Sequence, residues 1–101
     1  MLASVTSFQI KENEINEAID VYENCVIPKR KLFKGNCGGY ILINRSSGKG
    51  FAITLWDTID DYQTYSINEH SDDYREQLQK FKDHFASAPI SLGQYEVCTN
   101  G

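Results

Sequence analysis

The chain has 101 residues, 41% of them hydrophobic and 24% charged, with a formal net charge of −4. This is one domain spanning residues 1–101, large enough for a core but too small for a generous pocket plus a regulatory part. An acidic chain is not drawn to phosphates or anionic headgroups, which excludes the usual electrostatic case for nucleic acid or a membrane surface. No apolar run approaches the roughly 20 residues of a bilayer span, so the expected location is cytoplasmic.

The stretch through Leu2, Ser4, Thr6, Phe8 and Ile10 has the alternation of a strand and then turns charged at Lys11-Glu12, unlike a signal peptide. After Asn13, the stripe Ile15, Ala18, Ile19, Tyr22, Cys25 and Val26 has helical spacing. Pro28 lacks an amide hydrogen and clashes with the preceding turn, predicting a kink or an end near Ile27, with helix resuming through Phe33. The basic cluster Lys29-Arg30-Lys31 with Lys34 follows an acidic helix carrying Glu14, Glu17, Asp20 and Glu23, and reads as a helix C-terminal end complementing its dipole.

Cys37 to Asn44 is a predicted strand, Arg45 to Lys49 a hairpin loop, and Gly50 to Trp56 the returning strand. Asp57 or Thr58 caps the next helix, with Asp60 and Asp61 in its first turn. Helix-start signals at Ser66 to Glu69 and Ser71 to Asp73 predict a break over 66–71 and then a helix with the stripe Tyr74, Leu78, Phe81 and Phe85. Beyond Pro89, residues 90–98 form the last strand. The order is strand, helix, strand, strand, helix, strand, an α+β domain of ferredoxin-like βαββαβ topology with a four-stranded antiparallel sheet and helices on one face.

The returning strand raises the functional question. Phe51, Ile53 and Leu55 point to one face of it and Ala52, Thr54 and Trp56 to the other, and neither set suits solvent. The chain's own helices cover one face, so the second face needs a partner subunit or a ligand.

Cys25, Cys37 and Cys98 are odd in number and form no C-x-x-C pair, which argues against a disulfide framework and a zinc site; they read as reduced, mostly buried thiols. His70 and His84, if on one helix, stand about 21 Å apart, too far to share an ion. No metal is expected. The absence of a phosphate-cradling glycine loop likewise predicts no cofactor.

Several features in this order resemble the antibiotic biosynthesis monooxygenase (ABM) domains of the dimeric α+β barrel superfamily. They are the opening strand, a helix ending in Val26-Ile27-Pro28, and Gly48-Lys49-Gly50 ahead of Ile53-Thr54-Leu55-Trp56-Asp57. Phe81 and Phe85 on the last helix and the closing Tyr95-Glu96-Val97 complete the pattern. The resemblance implies a homodimer whose two sheets pack face to face, a small apolar or aromatic ligand, and, as one activity, cofactor-free monooxygenation. Trp56 and Tyr62 are similar to the tryptophan and tyrosine that line such pockets. The asparagine expected shortly before the tryptophan is absent, with Ala52 and Ile53 standing there. The haem-degrading branch needs a ligating histidine near Leu78 and an asparagine near Thr6 and Ser7, and neither is present.

Catalytic candidates are accordingly Trp56, Tyr62 and His70, and the expected ligand pocket comprises Trp56, Tyr62, Tyr65, Thr54 and Thr6, between the sheet and the second helical region. Each has a plainer reading. A tryptophan at a strand end more often packs with its indole N–H satisfied locally, and tyrosines are ordinary helix–sheet contacts. His70 beside Glu69, Asp72 and Asp73 fits a surface position. The polar positions Ser4, Thr6, Thr54, Gln94 and Glu96 are candidates to face the barrel lumen. The alternative function is a non-catalytic dimeric barrel serving as a ligand sensor or assembly module.

Overall fold

The computed structural model describes residues 1–68, 71–99 and 101. Its strands are β1 (Leu2–Gln9), β2 (Asn36–Ile43), β3 (Lys49–Trp56) and β4 (Ile90–Glu96). They form one sheet in the order β2-β3-β1-β4, with every neighbouring pair antiparallel. The first strand therefore lies inside, and the split βαβ arrangement expected from the element order is present.

The first helical region is α1 (Ile15–Val21), a π-helical turn over Tyr22–Val26, and α2 (Ile27–Arg30). The chain thus passes through Pro28 without stopping. A proline removes one hydrogen bond and crowds the carbonyl four residues earlier. The turn ahead of it is wider, with the Ile27 amide donating to the Tyr22 carbonyl five residues back. It also has a consequence for facing. At 100° per residue, positions eight apart on an α-helix diverge by roughly 80°. The π-turn winds more slowly, and Tyr22, Val26 and Arg30 all end up buried on one side.

The second region is α3 (Ile59–Asn68) and α4 (Asp72–Lys82). The Asp61 amide donates to Thr58 Oγ1 at 3.1 Å, so Thr58 is the cap. The helices cover one face only. On it Ala18, Tyr22, Val26, Tyr65, Tyr74 and Phe81 pack against Phe8, Ile10 and Trp56 from the sheet side. Phe8 stacks on Phe85 at 5.2 Å and meets Phe81 edge-on at 5.6 Å.

The opposite face carries Tyr40, Leu42, Phe51, Ile53 and Tyr95, which alternate with core-facing positions along their strands. Tyr40 is 61% exposed and Tyr95 53%. No described part of the chain covers this face.

The cysteines correct one expectation. Cys25 is half-buried, whereas Cys37 and Cys98 are exposed. Cys37 sits near the start of an edge strand and Cys98 beyond the end of another, where no described layer reaches them.

Candidate ligand cavity

The inner face of the sheet has a shallow centre. On β1 it presents Leu2, Ser4, Thr6 and Phe8, and on β3 Gly50, Ala52, Thr54 and Trp56. Register pairs Ser4 with Thr54 and Thr6 with Ala52, so four small side chains adjoin one another between the bulky Phe8 and Trp56. Helices held off by the large residues cannot close onto the small ones. The result is a cavity of about 230 Å³ between sheet and helices.

Ser4, Thr6, Ala52 and Thr54 form its floor. Tyr62 and Tyr65 of α3 and Tyr22 and Arg30 of the first helical region form its roof, with Leu78 and Phe81 of α4 completing the apolar wall. At the β4 edge, Gln94 Nε2 donates to the Tyr62 hydroxyl at 3.0 Å. Gln94 and Ser91 are exposed, so the cavity opens beside this edge strand.

Of the expected pocket residues, Thr6, Thr54, Tyr62 and Tyr65 border this one cavity. Trp56 does not. It is fully buried behind Tyr65, with ring centroids 4.5 Å apart, and is 6.3 Å from the Tyr62 ring. Its indole N–H, expected to be satisfied locally, has no hydrogen-bond partner among the described residues. His70 and Glu69 lie outside the described residues. Ser4, Thr6, Thr54 and Gln94, considered for the lumen of a barrel, border the space under the helices instead; Glu96 is exposed and borders no part of it.

Arg30 is the residue that sequence reasoning misplaced. The basic cluster reads in sequence as a helix C-terminal end complementing its dipole, yet Arg30 is 8% exposed and lines the cavity. Its Nε donates to the Tyr74 hydroxyl at 3.0 Å and its Nη1 to the Tyr22 hydroxyl. Tyr74 and Tyr65 share a hydroxyl–hydroxyl hydrogen bond of 2.9 Å. Burial by itself works against the guanidinium charge, but the phenol oxygens of Tyr22, Tyr74 and Tyr65 outweigh it and raise Arg30 above its ordinary value. Its neighbour Lys29 keeps a part-exposed side chain and pairs with Asp73 at 2.8 Å. A signal did exist in the sequence. Tyr22 and Tyr74 stand in apolar stripes, and a buried tyrosine hydroxyl needs a polar partner.

A second cluster lies away from this cavity. Glu14, Glu17 and His84 bring ligand-capable atoms within 4.8 Å of one another. His84 Nδ1 and Glu14 Oε1 are 2.9 Å apart, which ties the start of the first helix to the chain after α4.

No known family profile matches the chain, and no curated protein matches it. Solved structures do. A putative antibiotic biosynthesis monooxygenase from Bordetella bronchiseptica superposes with a TM-score of 0.79 at 13% identity, over 97% of each chain. The fold is that of the antibiotic biosynthesis monooxygenase domains. A putative ABM protein from Nitrosomonas europaea matches with a TM-score of 0.74 at 12% identity, over 98% of this chain and 100% of the other. A mutant form of SnoaB, a cofactor-independent oxygenase from Streptomyces nogalater, matches with a TM-score of 0.72 at 13% identity, over 98% of this chain and 94% of its own. The sequence resemblance to ABM domains is thus upheld by shape. At these identities the likeness establishes the fold alone.

Proposed function

We propose that this ABM-like chain forms a homodimer through the open sheet face, and that each subunit's cavity takes a small apolar or aromatic molecule. One observation carries the ligand reading. The cavity floor is made of side chains too small to fill the space, while Tyr22, Tyr62 and Tyr65 border it with hydroxyl-bearing rings. Concave, mostly apolar space with a few convergent polar groups is the usual form of a small-molecule site. Thr6, Thr54, Tyr62 and Tyr65 are the proposed contacts, and Trp56 backs Tyr65 from behind.

Cofactor-free monooxygenation is the proposed activity, supported as a class by the shared fold of a cofactor-independent oxygenase. Tyr62 is the proposed hydrogen-bond donor to the substrate. One observation favours the non-catalytic reading. Among the described residues no carboxylate or histidine borders the cavity, so the ordinary general bases are missing from that part of its wall. His70, the candidate for that role from the sequence, lies outside the described residues. Oxygen-uptake measurements with a panel of quinols and hydroxylated aromatics, run alongside a binding screen, separate the two readings. Uptake that tracks binding supports the oxygenase; binding without uptake supports the sensor; no binding by any member sinks the cavity reading.

A further inference from the structure

The cavity carries an electrostatic bias opposite to that of the whole protein. The chain has 14 acidic and 10 basic residues, yet Arg30 and Lys82 border the cavity and no carboxylate among the described residues does. Arg30 takes part in no ion pair with a described residue. Its hydrogen bonds go only to tyrosine hydroxyls, through Nε and Nη1, leaving Nη2 without an acceptor among the described residues. Tyr22 accepts from Arg30, and its own O–H likewise has no acceptor among them.

Hydroxyl dipoles stabilise a buried cation less than a well-placed opposite charge does. The unused groups here are both donors, one of them cationic, so what completes the site is a group that only accepts. A planar guanidinium matches the two oxygens of a carboxylate. The rest of the lining joins aromatic and aliphatic side chains to the hydroxyls of Ser4, Thr6 and Thr54 on the floor and to Ser91 and Gln94 at the mouth. An apolar cavity of roughly 150 Å³ accommodates benzene, so about 230 Å³ suits one ring with a substituent or a compact pair of rings.

We propose that the cavity selects a small aromatic carboxylic acid, bound as its anion, with Arg30 as the counter-cation and the Tyr22 hydroxyl as a second donor. This rests on the cavity being a ligand site and adds the charge and headgroup of the ligand. It also assigns a function to a residue of the first helical region, which no sequence-based expectation placed at the site.

The test uses the full-length chain, with Trp56 fluorescence and calorimetry reporting titrations of benzoate and 1-naphthoate against benzamide and 1-naphthamide. Each amide matches its acid in shape and lacks the charge. We expect at least one acid to bind about 10- to 100-fold more tightly than its amide, the range for a hydrogen bond to a charged group. Arg30→Gln should erase that preference, and Arg30→Lys should retain part of it. Amides that bind as tightly as the acids overturn the anion proposal while leaving the apolar-ligand reading intact. If none of the four binds, both fall. Acids that bind folded Arg30→Gln as tightly as wild type overturn the role of Arg30. Should Arg30→Gln fail to fold, the wild-type acid-to-amide ratio alone still decides for or against an anion site.

Discussion

Arg30 Nε donates to the hydroxyl of Tyr74 across 44 positions of sequence, at 3.0 Å, in a buried contact between the first and second helical regions. Since Tyr74 also bonds to Tyr65, a single cation organises hydroxyls from three helical segments, and two of these tyrosines, Tyr22 and Tyr65, border the cavity.

Tyr74→Phe keeps the ring, which meets Phe33 at 5.2 Å, and removes only the hydroxyl. It leaves Arg30 Nε without an acceptor, so we expect a loss of about 1–3 kcal/mol, the cost of a buried donor left unsatisfied. Urea denaturation measures it. A variant as stable as wild type shows that the Arg30 network does not brace the helices.

Trp56→Phe removes volume from a fully buried site and also removes an indole N–H that has no partner among the described residues. The two effects oppose each other. We expect a net loss below about 2 kcal/mol, smaller than a bonded tryptophan would show. Tyr62→Phe breaks the bond to Gln94 at the exposed mouth and should cost under about 1 kcal/mol while altering ligand affinity. Thermal melts paired with the aromatic binding screen check both. Unchanged affinity in Tyr62→Phe removes it from the list of contacts.

Gly50 sits where Phe8 closes on the hairpin. A Cβ there would lie 2.5 Å from the Phe8 ring and 2.6 Å from the Leu42 carbonyl oxygen. The strand backbone cannot retreat without breaking its ladder, so Gly50→Ala should destabilise by about 1–3 kcal/mol, as overpacking does. A melting temperature within error of wild type means that Phe8 yields more readily than its stacking on Phe85 implies.

The open sheet face gives the dimer prediction. Tyr40, Leu42 and Tyr95 are all substantially exposed on it, and a two-fold partner would bury the same patch on both copies. Light scattering should give about 23 kDa, twice the 11.5 kDa of one chain. Leu42→Lys should shift the protein toward monomer by placing a charge in the interface. A wild-type monomer at micromolar concentration removes the barrel.

Element order, strand faces and helix stripes were legible in the sequence because they depend on local periodicity. Alternation placed Thr54 and Trp56 on one side of β3, and the spacing of Tyr74 and Phe81 placed both on the buried side of α4. The small residues that open the cavity were visible individually, but their adjacency comes from the pairing of Ser4 with Thr54, about fifty positions apart.

The direction of Arg30 was decided only by tertiary structure. In sequence it is the middle of three basic residues, and the need of buried tyrosines for a polar partner does not by itself choose it over Lys29 or Lys31. A π-turn ahead of Pro28 sets its facing, and a hydroxyl 44 positions away accepts its hydrogen bond. The same holds for Trp56, which sequence reasoning put in the ligand pocket and packing put behind Tyr65. Periodicity reports which face a side chain takes, since that follows from the backbone repeat. How deep it lies on that face, and whether a charge on it finds a partner, depends on what the other elements bring to the same place.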